Sequence, residues 1–176
     1  AVSNDKVYVG THGGSLRCVD ARYGNLLWRY DVPTDVVSSP AVADGSVFFG
    51  CGDGRIYCLD ATSGALEWSS QLSGPVYSPP TVDGNTVYIG SNGTGTSGTA
   101  HLYSLNATTG AENWKYPVGY TIESKPLALG DVVYAGSWDS YLYAINKADG
   151  SFKWRYRRNN GSIPQYYSPA DSWPVG

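Results

Sequence analysis

A Gly-x-x-x-Trp motif occurs four times along the 176 residues of the chain, at nearly constant spacing. The four tryptophans are 40, 46 and 40 residues apart. The motifs are Gly24 to Trp28, Gly64 to Trp68, Gly110 to Trp114 and Gly150 to Trp154. Repeats of this length are typical of folds built from copies of one small supersecondary unit. The chain is therefore predicted to be an array of four such units.

Two further sequence blocks recur with the same period. An apolar run ending in glycine precedes each motif, at 7–10, 47–50, 87–90 and 133–136. A Ser-x-Pro triplet follows the first three motifs, at 38–40, 78–80 and 124–126, and a later match at 172–174 follows the fourth. We therefore divide residues 1–176 into units that span about 1–40, 41–80, 81–126 and 127–174.

Each unit is predicted to form four short strands, labelled a to d, because its segments are rich in Val, Tyr, Ile and Trp and are bounded by turn residues. In the second unit these strands are expected at 36–42, 46–51, 55–61 and 65–71. Asp53-Gly54 predicts a two-residue hairpin between strands b and c. No segment shows a sustained helical period, so the predicted fold class is all-β.

One four-stranded sheet of forty residues cannot bury both of its faces, so the units must pack against one another. Radial repetition of such sheets gives a β-propeller of four-stranded antiparallel blades. The four tryptophans and their glycines are assigned to packing between blades rather than to ligand binding. Four units favour part or half of a larger ring, with a closed four-bladed ring as the alternative. In the half-ring case, a homodimer would complete one ring.

The full pattern of the repeat is well displayed by residues 78–114. It runs from Ser-x-Pro through an apolar run to Gly, then Leu-Tyr-x-Leu-(Asp/Asn), and ends in Gly-x-x-x-Trp. This pattern resembles the PQQ-like repeat family of quinoprotein dehydrogenase-like propellers. The resemblance implies a ring of about seven or eight blades and a periplasmic or extracellular location. It also implies one of two roles, a dehydrogenase that uses PQQ with calcium or a non-catalytic scaffold or sensor.

Departures from the dehydrogenase pattern favour the non-catalytic role. The dehydrogenases resemble one another in a pair of adjacent cysteines, whereas Cys18, Cys51 and Cys58 are separated in this chain. We expect these three thiols to be free and buried. His12 and His101 are isolated, so no metal site is predicted. No bound cofactor is predicted either, except PQQ with calcium under the dehydrogenase alternative.

Charge and hydropathy limit the partners that the chain would bind. The net charge of −3 gives no reason to expect nucleic acid as a partner. No apolar stretch approaches the ~20 residues that a membrane-spanning helix needs.

Candidate binding residues are those that differ between copies at equivalent positions, because variable loops on a rigid scaffold carry recognition. Insertions within 92–99 and 157–167 enlarge the face that carries the b–c turns and d–a connections, which we call the b–c rim. Loop drift without function would also explain the insertions. The candidate residues are Tyr77, Glu123, Lys125, Asp171 and Trp173 around the inner strands, and Trp138, Tyr166 and Tyr167 as an aromatic contact patch.

These observations predict a non-catalytic extracytoplasmic propeller that binds a partner protein or a small polar ligand through its b–c rim. No catalytic residues are assigned. The alternatives are part of a PQQ-dependent dehydrogenase propeller and an architectural repeat of a larger surface protein.

Overall fold

The computed structural model describes residues 1–93 and 98–157, together with the backbone of 165–167. These residues form strands, turns and irregular segments, and no helix occurs among them. The strands make four antiparallel sheets in which each strand pairs with the next one in the chain. The predicted all-β architecture of four-stranded blades is confirmed, and the chain is a partial β-propeller.

The four sheets are called blades 1 to 4 in chain order. Blade 1 contains β1 (Val2–Ser3), β2 (Lys6–Thr11), β3 (Ser15–Asp20) and β4 (Leu26–Asp31). Blade 2 contains β5 (Ala41–Ala43), β6 (Ser46–Gly50), β7 (Arg55–Asp60) and β8 (Leu66–Gln71). Blade 3 contains β9 (Thr81–Asp83), β10 (Thr86–Gly90), β11 (Ala100–Asn106) and β12 (Glu112–Val118). Blade 4 contains β13 (Leu127–Leu129), β14 (Val132–Gly136), β15 (Tyr141–Asn146), β16 (Phe152–Arg157) and β17 (Gln165–Tyr167).

The hydrophobic core lies between the blades rather than within any one of them. Three clusters of buried residues fill the junctions between blades 1 and 2, blades 2 and 3, and blades 3 and 4. Strands b and c of the middle blades contribute side chains to both of their faces, which explains their nearly continuous burial. The three cysteines lie in these cores, and all three are free and buried.

Each junction is closed by the tryptophan of one blade, which lies on the motif glycine of the next blade. The indole Nε1 of Trp28 donates a hydrogen bond to the carbonyl oxygen of Ala61 at 3.3 Å. The indoles of Trp68 and Trp114 make the same contact with the carbonyls of Ala107 and Lys147, at 2.9 and 2.8 Å. The repeated motif thus joins consecutive units through one recurrent packing contact.

The first strand of blade 2 is shorter than the sequence predicts. In the second unit the predicted strand 36–42 is wrong at its start, because β5 begins only at Ala41. Pro40 has no N–H group to offer to a ladder, and Ser38 makes the contacts with strand b instead. Its hydroxyl accepts a hydrogen bond from the Gly50 N–H at 2.9 Å and donates one to the Gly50 carbonyl at 3.0 Å. Ser124 makes the same pair of contacts with Gly136.

Replacing Ser38 by alanine is expected to lower the free energy of unfolding by about 1–3 kcal/mol, because both polar groups of the buried Gly50 lose their partner. Ser38 is only 2% exposed, so water does not readily replace the hydroxyl. The matched control is Ser39→Ala at the neighbouring exposed position, which should change stability by less than about 0.5 kcal/mol. Urea unfolding measures both values, and equal effects would contradict the role given to Ser38.

The turn between β6 and β7 has three residues, so the predicted two-residue hairpin is wrong. The Cys51 N–H donates to the Arg55 carbonyl at 2.9 Å, and the Gly54 N–H donates to the Cys51 carbonyl at 3.2 Å. Gly54 has a φ of 87°, the left-handed conformation that closes a three-residue loop with a bulge. The Asp-Gly pair therefore predicted the position of the turn correctly but not the length of its loop.

The last insertion is only partly a rim loop, which corrects the interpretation of 157–167. Its end forms β17, which pairs antiparallel with β16, so that Arg155, Tyr156 and Arg157 lie opposite Tyr167, Tyr166 and Gln165. Blade 4 consequently has a fifth strand at its outer edge. A backbone ladder can recruit a segment of this kind without any apolar periodicity, which explains why the sequence pattern did not predict it.

Candidate functional site

A cavity of ≈ 380 Å³ lies at the inner edges of three successive blades. Its walls are formed at equivalent positions of the repeat, next to the repeated serines, by Val37, Ser39, Tyr77, Pro79 and Glu123. β9 contacts both β5 and β13, so these inner edges lie side by side. We call this space the axial cavity, because it faces the centre around which the blades are arranged.

Two of the predicted candidate residues meet in the axial cavity. The hydroxyl oxygen of Tyr77 lies 3.3 Å from the point that a Cβ atom at position 52 would occupy, so Gly52 makes room for this ring. Glu123 is exposed and supplies a carboxylate to an otherwise mostly apolar wall. A cavity with this composition can accept a side chain or a small group that has both an apolar and a polar part.

The other candidates near the inner strands are placed differently. Lys125 is exposed and does not line the axial cavity. The ion pairs formed by described residues do not include one between Lys125 and Glu123. Asp171 and Trp173 fall outside the described residues, as do residues 94–97 of the first insertion and 158–164 of the second.

An exposed aromatic pair lies on the b–c rim at the junction of blades 3 and 4. Trp138 is 67% exposed in the b–c turn of blade 4, and Tyr120 is 53% exposed in the connection that leads into that blade. The backbone N–H of Trp138 donates a hydrogen bond to the Thr121 carbonyl at 3.0 Å, and the Ser137 hydroxyl donates one to the Tyr120 carbonyl at 2.8 Å. We call Tyr120 and Trp138 the rim aromatics, since these bonds hold their two backbone segments together.

Sequence reasoning identified Trp138 but missed Tyr120. The repeat equivalents of Tyr120 are Thr34 and Gly74, so an aromatic residue in a connection that is otherwise small and polar was the available signal. Tyr166 and Tyr167 were predicted to join Trp138, and the structure places their backbone in β17 at the outer edge of blade 4.

The acidic residues in the b–c turns support the fold. The Tyr57 hydroxyl donates to Asp53 Oδ2 at 2.6 Å, and the Tyr143 hydroxyl donates to Asp139 Oδ2 at 2.5 Å. Burial, together with the hydrogen bond to Asp139, raises the pKa of Tyr143 above its ordinary value, so the phenol keeps its proton and remains a donor. These aspartates anchor strand c to its own turn.

Two further kinds of site were sought in the part of the chain that the structure describes. No three His, Cys, Asp or Glu side chains in it converge as metal ligands would. None of its elements is a helix with the length and apolar character to cross a membrane.

The consecutive blades, the tryptophan contacts between them and the axial cavity define a propeller of the PQQ-like class. A family model described as "Outer membrane protein assembly factor BamB" matches residues 1–54 and 53–173. The chain belongs to this family of PQQ-like repeat propellers, as its repeat pattern predicts. No curated protein sequence matches the chain.

Solved structures show the same architecture. BamB from Moraxella catarrhalis is 28% identical with a TM-score of 0.73, and the match covers 88% of this chain and 46% of that one. Quinohemoprotein alcohol dehydrogenase ADHIIG from Pseudomonas putida HK5 is 21% identical with a TM-score of 0.79, over 89% and 33% of the two chains. The computationally designed protein Ika8 is 14% identical with a TM-score of 0.75, over 96% and 57%. The chain thus spans about half the length of the BamB structure that it matches.

Proposed function

We propose that this chain is part of a non-catalytic extracytoplasmic propeller that binds a segment of a partner protein on its b–c rim. The observation that carries the proposal is the pair of rim aromatics, Tyr120 and Trp138, both more than half exposed on the same rim. Tyrosine and tryptophan are enriched among the residues that dominate binding energy at protein interfaces. The similarity to an outer membrane protein assembly factor supports both a protein partner and a location outside the cytoplasm.

In this proposal the rim aromatics and the axial cavity act together as one recognition surface. Tyr120 precedes Glu123 by only three residues in the same connection, and Glu123 lines the axial cavity. Val37, which is 50% exposed, adds apolar surface on the opposite wall. A partner segment would place an apolar side chain against Trp138 and direct a polar or cationic group towards Glu123. The fold and the hydrogen-bonded turns preorganise this surface, which lowers the entropic cost of binding.

Crosslinking tests whether the b–c rim is the occupied surface. A photoreactive phenylalanine analogue at position 138 should capture a protein adduct in cells that export the full-length protein. The same analogue at position 23 is the control, because Tyr23 is 70% exposed in a c–d turn on the opposite rim. Equal yields at the two positions, or no adduct at position 138, would contradict the proposal. The absence of an adduct would favour a purely architectural repeat.

With the captured partner in hand, the double variant Tyr120→Ala/Trp138→Ala should weaken binding by about 2–4 kcal/mol, since both anchors are removed. The loss would show mainly as faster dissociation in a surface-binding assay. Tyr23→Ala removes an equally exposed ring from the other rim and should leave the affinity unchanged. An equal loss in the two variants would show that the effect does not arise at the rim.

A further inference from the structure

A second cavity, of ≈ 330 Å³, lies between blades 2 and 3 on the face opposite the b–c rim. It opens among the a–b and c–d turns, and we call it the junction cavity. Its wall includes residues from both blades, among them Ala43, Ser46, Glu67, Gly84 and Ala107. No residue of the axial cavity contributes to it, so the two cavities are separate sites.

At the two neighbouring junctions, the corresponding place holds the ammonium group of a lysine. Between blades 1 and 2, Lys6 Nζ lies 3.4 Å from the Ala61 carbonyl oxygen, to which it donates. Between blades 3 and 4, Lys147 Nζ donates to the Gly130 carbonyl at 2.9 Å and forms an ion pair with Asp83. The two lysines reach these places from opposite sides, one from the preceding blade and one from the following blade.

At the junction of blades 2 and 3 both lysine positions hold small residues. Ser46 is the repeat equivalent of Lys6, and Ala107 is the repeat equivalent of Lys147. Both residues line the junction cavity. The cavity therefore corresponds to the space that a lysine side chain fills at each neighbouring junction.

The carbonyl groups that accept from the lysines also have their equivalents in this wall, whereas Ala43 replaces the Asp83 carboxylate. Gly84 corresponds to Gly130, and Ala107 corresponds to Ala61, so both carbonyl positions are retained. Phe48 is the repeat equivalent of Tyr8, whose hydroxyl donates a hydrogen bond to the Ala61 carbonyl at 3.0 Å. A phenylalanine cannot make that bond, which leaves more acceptor capacity at this junction.

Two carboxylates, those of Glu67 and Asp44, line the cavity and supply the charge that would attract a cation. Glu67 lines the cavity. Its repeat equivalents in blades 1 and 3 are the uncharged Leu27 and Asn113. Its Oε2 accepts hydrogen bonds from the Ser46 hydroxyl at 2.7 Å and the Cys58 thiol at 3.0 Å. Among the described residues, the ion pairs do not include Glu67. Glu67 is exposed but lines the cavity, and a carboxylate at the wall of a cavity favours a bound cation.

We propose that the junction cavity binds the primary ammonium group of a small aliphatic amine. Glu67 is the anionic partner of the ammonium, the carbonyl groups of Gly84 and Ala107 are its neutral acceptors, and Phe48 and Val82 contact the alkyl chain. The volume is sufficient for a short diamine. The ligand takes the place that a lysine of the chain itself takes at the neighbouring junctions.

Calorimetric titration with 1,5-diaminopentane tests this site, with 1-pentanol as a neutral probe of the same chain length. The diamine should bind and the alcohol should not. Glu67→Gln should weaken diamine binding about tenfold or more, since a charge-assisted hydrogen bond is lost. Glu112→Gln is the control, because Glu112 pairs with Lys115 on β12 away from the cavity. Equal binding by the alcohol, or an unchanged affinity in Glu67→Gln, would overturn the proposal.

A second variant fills the site from within the protein. Ala107→Lys installs the residue found at the equivalent position 147, and it should abolish diamine binding and raise the melting temperature. If this variant does not fold, Ser46→Lys places the ammonium from the other side, as Lys6 does. Diamine binding that persists in a folded lysine variant would show that the amine binds elsewhere.

Discussion

Gly64→Ala is expected to lower the free energy of unfolding by about 2–5 kcal/mol, or to prevent folding. Gly64 has a φ of 74°, and an alanine in this left-handed region costs about 1–2 kcal/mol. A Cβ atom there would also lie 2.7 Å from the indole of Trp28, a ring held in place by the core between blades 1 and 2. Displacing a packed ring of this kind adds about 1–3 kcal/mol.

Gly24→Ala is the matched control for this effect. Gly24 has nearly the same φ, 72°, but no described atom lies within 4 Å of the position of its Cβ. This variant should therefore cost only the backbone contribution of about 1–2 kcal/mol. Urea unfolding of both variants gives the difference, which isolates the contact between glycine and tryptophan. Equal losses would mean that the conformation alone, and not the packing of the indole, requires glycine in the motif.

Trp114→Ala is expected to lower the free energy of unfolding by about 3–5 kcal/mol, because a large buried side chain is replaced by a cavity. Trp114 is 8% exposed, and its ring centroid lies 5.9 Å from that of Tyr88. The variant also loses the hydrogen bond from Nε1 to the Lys147 carbonyl, which joins blades 3 and 4. Contacts between neighbouring blades supply much of the stability of a repeat protein, so the loss should reach both blades.

Trp138→Ala removes the same side chain from an exposed position and should change stability by less than about 0.5 kcal/mol. Comparing the two variants in urea separates a tryptophan that packs blades from one that is available for binding. A large loss of stability in Trp138→Ala would show that this ring is part of the fold. The rim would then lose its principal binding candidate.

The repeat pattern was sufficient to predict the strands whose hydrogen bonds form within one unit. Strands b, c and d of the second unit lie within one residue of their predicted bounds. Strand a was predicted too long because the hydroxyl of Ser38 replaces part of its backbone ladder. A side chain that substitutes for backbone pairing leaves no periodic signal in the sequence. The pairing of β17 with β16 leaves none either, so the sequence predicted neither feature.

The candidate site was predictable only in part. Tyr77 and Glu123 were identified because they vary at one repeated position, and repeated positions of successive blades become neighbours around an axis. Tyr120 was missed because it lies in a connection, where the repeat is weakest and exposure cannot be read from periodicity. Only the hydrogen bonds between that connection and the next b–c turn bring Tyr120 and Trp138 onto one surface.

By itself, the sequence determined the fold class, the order of the strands and the family, because these depend on a short-range pattern copied four times. The tertiary structure alone decided which junctions are filled and which contains a cavity. That outcome depends on side chains from different units, such as Ser46 and Ala107, which meet only when two sheets pack. The same place can be filled by Lys6 from one side or by Lys147 from the other. No single repeat position therefore determines whether a junction is filled.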